Sequence, residues 1–192
     1  VNVDAAKLTP GVFGLSHGSG AAGMIIRDAT GSWAGHAFGN VGGGQLVQGQ
    51  PPVAALAPVT SHDDAIWAWR MWDQLMAEEG WTADRVHTAQ TLVTGRYDAE
   101  VGCKYDYPAY LGFTEEVLKL RTAAQLAPEF AHDNWRVCSA LVADGLMAGG
   151  VPLKFVPEDG PGIIGSADRA PIPANLVAPG MLLGLAQRLE WL

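Results

Sequence analysis

A thiol, an imidazole and a polar side chain that orients the imidazole form a minimal set for nucleophilic hydrolysis of an amide without a metal. This chain offers one such set: Cys138, His36 and Gln48. Cys138 lies in "HDNWRVCSALVADGLMAGG" (132–150), which reads as a helix capped by Asp133 or Asn134. Unpaired N–H groups and the helix dipole in the first turns favour a thiolate there, the more so with a histidine beside it. His36 opens the strand "GHAFGNV", in a stretch without a charged residue between Asp28 and Asp63. Gln48 lies across the next hairpin, where its amide oxygen can accept the imidazole Nδ1–H and fix the tautomer. An opposing reading exists. On a helical wheel Cys138 shares the apolar side with Trp135, Val142, Gly145 and Leu146. Free cysteine is among the most buried residue types, so taken alone these residues favour a core cysteine.

Two other motifs suggest chemistry and carry less. "GSGAAG" (18–23) has the spacing of a dinucleotide-binding turn. It lacks the acidic residue expected about 20 positions on, and no parallel β-α-β unit follows, so it reads as a close-packed turn. "SHDD" (61–64) with His17 and His36 suggests a metal site, but no second histidine lies at helical spacing from His62. The stretch reads as a solvated helix start. No metal and no cofactor are expected.

The elements that must hold the set are legible. Residues 11–17, 35–41, 45–49 and 52–59 read as strands, with "GGG" (42–44) as a hairpin turn and Pro51 and Pro52 as a break. Residues 18–31 read as a turn and short helix. Helices are expected over 62–80, over 82–100 with Thr82 as cap, over 114–127 with Thr114 as cap, around Cys138, and at the C-terminus. Strands first and helices after give an α+β domain, an antiparallel sheet packed against helices.

Composition removes several classes of function. The chain has 192 residues and a formal net charge of −8, with no cluster of Lys and Arg to neutralise phosphates. A nucleic-acid partner and an anionic membrane surface are therefore not expected. No run is apolar enough to span a bilayer, and Val1–Gly11 has no basic-then-apolar signal pattern, so the chain reads as soluble. Two cysteines make no disulfide framework, though a single Cys103–Cys138 bond stays open. Compartment and oligomeric state are not legible.

Four blocks, in order, resemble the circularly permuted NlpC-type, papain-like cysteine amidases and peptidases, the YiiX-like group. "GVFGLSHGSGAAGMIIRDATGSWAGHAF" resembles the opening strand, short helix and histidine strand, with His36 at the histidine. "GGGQLVQGQPPVAAL" resembles the next hairpin, with Gln48 where that group usually has Glu. "CKYDYPAYLGF" resembles its Tyr-Asp segment, and "WRVCSALVADGLMAGG" its nucleophile helix, with Cys138 at the nucleophile and Ala140 where a Glu is usual. "VAPGMLLGLA" resembles its last helix.

The resemblance implies a single permuted papain-like domain with a helical insertion around 62–98. It implies a cysteine peptidase or amidase in which Cys138 attacks, His36 is the base and Gln48 orients it. The implied substrates are peptide amides, cell-wall (peptidoglycan) peptides among them. Tyr105 is expected in the substrate cleft or the core, and His17 is a second candidate for the cleft wall. Acyl transfer or hydrolysis on lipids is the enzymatic alternative. A non-catalytic binding or structural module of a virion or envelope assembly is the other.

Overall fold

Short apolar runs punctuated by glycine make the first part of the chain a sheet. The computed structural model describes residues 8–105, 135–156 and 177–192. Strands β1 (Phe13–Ser16), β2 (His36–Gly42), β3 (Gln45–Gln48), β4 (Ala55–Pro58) and β5 (Ile66–Trp67) form one antiparallel sheet, in the order β4-β3-β2-β1-β5. Helix α1 (Gly20–Thr30) links β1 to β2. The β2–β3 turn uses Gly42, Gly43 and Gly44 at φ of 91°, 60° and 74°, a region that strains any residue with a Cβ. Register then sets Ser16 opposite His36 and Phe38 opposite Gln48.

The stretch 62–80 departs from the expected continuous helix. Ile66 and Trp67 pair with Leu15 and Gly14 as β5, and the Ala68 N–H donates to the Phe13 carbonyl. Helix α2 covers only Met71–Glu78. An otherwise open edge of β1 and the packing of Trp67 edge-on against Phe38 outweigh local helix propensity here.

Helix α3 (Ala83–Ala99) starts as expected: the Thr82 hydroxyl accepts from the Arg85 N–H. It packs on β2 and on α4 (Cys138–Ala148). Tyr97 of α3 fills the space between them. A Cβ on Gly39 would lie 2.3 Å from its ring and one on Gly145 2.1 Å, so both positions must be bare. The segment 62–98 thus supplies an edge strand and a core helix, with Val86, Ala89, Val93 and Tyr97 buried in the same core as the sheet.

Helix α4 is buried all round its first turns, from Cys138 to Ala143, and this explains its apolar sequence. Its one charged residue, Asp144, accepts from Arg96 of α3. The cap is Val137 rather than Asp133 or Asn134, because Trp135 and Arg136 are drawn into a two-residue strand β7 beside β6 (Lys104–Tyr105). Helix α5 (Pro179–Arg188) begins on proline, and Trp191 beyond it meets Phe13 of β1 edge-on. The helix expected over 114–127 and most of the Tyr-Asp segment lie outside the described residues. No helix among the described residues is long and apolar enough to cross a membrane.

Candidate active site

Three elements converge on one cleft of about 170 Å³. Cys138, the first residue of α4, His36, the first residue of β2, and Tyr105, at the end of β6, all line it. Glycines make the approach possible. A Cβ on Gly23 would lie 2.9 Å from Gly18 backbone, and one on Gly35 2.4 Å from the His17 carbonyl. The dinucleotide-like "GSGAAG" is therefore a close-packed turn at Gly18 and Ser19 that runs into the first residues of α1. Gly49, just after β3, faces α4 so closely that a Cβ would sit 3.1 Å from the Cys138 backbone.

Gln48 does meet His36, by a different nitrogen from the one expected. Its Oε1 lies 2.9 Å from His36 Nε2, not Nδ1. The reason is register. Gln48 stands opposite Phe38, two residues along from His36, so its side chain crosses the ladder diagonally to the outer end of the imidazole. An amide oxygen only accepts, so with the oxygen on this side the proton is on Nε2 and Nδ1 keeps its lone pair. Gln48 is itself buried, which holds this pairing away from competing water.

The electrostatics depart from the expectation of a lowered thiol pKa. Cys138 is 2 % exposed, and burial pushes its thiol up from the ordinary 9.0. N–H groups of Ala37 and Ser139 directed at the sulfur offset only part of this. Burial also pushes His36 below 6.5, against the hydrogen bond to Gln48 and the charge of Asp64. Desolvation outweighs the helix terminus because the helix is buried on every side at this point. Burial thus favours the neutral form of both the Cys138 thiol and the His36 imidazole. Cys103 and Cys138 are not joined in a disulfide.

Sequence reasoning missed His62. It is no solvated helix start. Its ring is half-buried, stacked on Phe38 at 4.4 Å and 7°, with Nε2 2.8 Å from the same Gln48 oxygen. Its centroid lies 5.4 Å from that of His36, and it too lines the cleft. Burial lowers its pKa, and the His36 charge lowers it further, while Asp64 and Asp63 oppose. The one signal available was position: His62 follows β4, the strand paired with that of Gln48.

Of the two expected cleft residues, Tyr105 is both things proposed for it, buried and lining the cleft. His17 is not among the residues that line it. Its ring is exposed beside Trp33, 6.1 Å between centroids, and its backbone N–H donates to the Asp64 carboxylate. Among the described residues no group of three or more His, Cys, Asp or Glu is placed to hold a metal ion. No protein-family model, curated protein or solved structure matches this chain.

Proposed function

We propose that the protein is a cysteine-dependent amide hydrolase of the permuted papain-like kind, acting on peptide amides such as those of cell-wall peptides. The observation that carries this reading is that Cys138 and His36 line the same open cleft, with Gln48 Oε1 2.9 Å from His36 Nε2. These residues stand about a hundred positions apart in the chain, so only the fold brings them to one cleft.

In this reading His36 Nδ1 takes the thiol proton as the sulfur of Cys138 attacks the carbonyl carbon. Negative charge moves to the carbonyl oxygen, where first-turn N–H groups of α4, which have no helical acceptor, can receive it. Collapse breaks the C–N bond, and the His36 proton leaves with the amine. Water then adds to the thioester, giving a proton to His36; collapse breaks the C–S bond, and the His36 proton returns to sulfur, leaving the acid and the free thiol. Because burial favours the neutral forms, proton transfer belongs to the attack step rather than preceding it.

The burial of Cys138 favours one competing reading, a core cysteine in a non-catalytic module. A burst of p-nitrophenol from p-nitrophenyl acetate separates the two. The hydrolase gives a stoichiometric acetyl group on Cys138, lost in Cys138→Ala and slowed about 10²-fold or more in His36→Ala. Acetylation only after denaturation would leave the module reading.

A further inference from the structure

One amide oxygen serves two imidazoles. Gln48 Oε1 lies 2.9 Å from His36 Nε2 and 2.8 Å from His62 Nε2. The two ends of a glutamine amide have nearly the same size, so packing scarcely distinguishes them, and the hydrogen-bond partners decide which end faces where. The choice matters at His36. An oxygen facing Nε2 requires a proton there and leaves Nδ1 bare. An NH2 facing Nε2 requires a lone pair there and moves the proton to Nδ1, where it would block proton uptake from a thiol. Hydrogen bonding to His36 alone permits either state.

We propose that His62 is a positioning residue: by donating its Nε2–H to the Gln48 oxygen it holds the amide with that oxygen toward His36, and so keeps His36 Nδ1 bare. The two rings and the amide form one unit: with the His62 proton on Nε2 the oxygen must face both rings, so a donor on one side fixes a donor on the other. Phe38 serves the same end, since its face-to-face stack with His62 at 4.4 Å sets the plane in which His62 reaches Gln48. The inference rests on the hydrolase reading only in calling Nδ1 the base.

The test reads protonated nitrogens directly. The full chain is labelled with 15N-histidine, and long-range NMR correlations are recorded above neutral pH for wild type, His62→Phe, His62→Gln and the double variant His62→Phe with Gln48→Glu. Wild type is expected to carry its protons on Nε2 of both rings. In His62→Phe, which keeps a ring against Phe38 and removes the donor, the His36 proton should spread over both nitrogens. Acetylation of Cys138 by p-nitrophenyl acetate should slow about twofold, since an unbiased amide leaves about half of the His36 rings with Nδ1 bare. His62→Gln still donates and should keep the wild-type pattern. The double variant should restore the proton to His36 Nε2, because a carboxylate accepts at both oxygens and has no wrong orientation. A His36 proton on Nδ1 in wild type, or one that stays wholly on Nε2 in His62→Phe, overturns the proposal. The expected tautomers without any acetylation of Cys138 would instead remove the hydrolase reading and leave the role of His62 standing.

Discussion

Changing Gln48 to Glu should shift the resting equilibrium from neutral thiol and imidazole toward the ion pair. The amide oxygen sits 2.9 Å from His36 Nε2, so a carboxylate there makes the same hydrogen bond with a full negative charge behind it. A hydrogen bond to a charged group contributes about 1 to 2 kcal/mol more than a neutral one, after solvation is counted. The raw Coulomb attraction at such a distance is larger, about 4 kcal/mol at an effective dielectric of 20, but desolvation of the new carboxylate offsets much of it. The imidazolium, and with it the thiolate, should therefore gain a factor of about 5 to 30 in population at neutral pH. The assay is the rate of iodoacetamide alkylation of Cys138, read by mass spectrometry as a function of pH. In the wild-type protein, burial lifts the thiol above 9.0 and the rate should climb only at alkaline pH. In Gln48→Glu a second phase should appear near neutrality, and His36→Ala in that background should abolish it. Superimposable profiles would refute the argument, since His36 would then not communicate with the thiol. Fast wild-type alkylation below pH 7 would refute the claim that burial dominates.

Three further outcomes follow from packing and burial. Tyr97→Phe should leave thermal stability unchanged or raised, because the buried Tyr97 hydroxyl has no hydrogen-bond partner among the described residues and its removal relieves a desolvation cost; a clear fall in melting temperature would count against this. Gly39→Ala should destabilise by about 1 to 3 kcal/mol in chemical denaturation, since its Cβ would meet the Tyr97 ring at 2.3 Å, and the loss should shrink in a Tyr97→Leu background. Stability should also fall on both sides of neutrality. His36 and His62 titrate lower in the fold than in the unfolded chain, so protons bind the unfolded state from about pH 6.5 downward and stability drops as pH falls below that value. Cys138 titrates higher in the fold, so above 9.0 the unfolded thiol ionises first and stability drops again. Denaturation midpoints across this range check the sign on each limb.

Much of the scaffold was legible because short-range physics sets it. Glycines at 42–44 can only be a tight turn, so the hairpin joining the His36 and Gln48 strands followed from local sequence. Thr82 capped its helix for an equally local reason. Where a distant element had a claim, local signals failed. The stretch 62–80 has helical periodicity, yet its first part pairs with β1, and no window of sequence contains β1. Asp133 and Asn134 looked like caps, yet β7 moved the start of α4 to Val137.

The same division runs through the site. Residue types and spacing by themselves determined an α+β scaffold, a thiol at the start of a helix, an imidazole at the start of a strand and an amide on the strand after it. Tertiary structure alone decided which imidazole nitrogen meets Gln48, since that depends on cross-strand register and diagonal reach. It alone brought His62 onto the same oxygen, through a chain path that returns beside the sheet. It also set the sign of the electrostatics. A helix start favours a thiolate in any sequence, but burial against it is a sum over neighbours from the whole chain, and here that sum is larger.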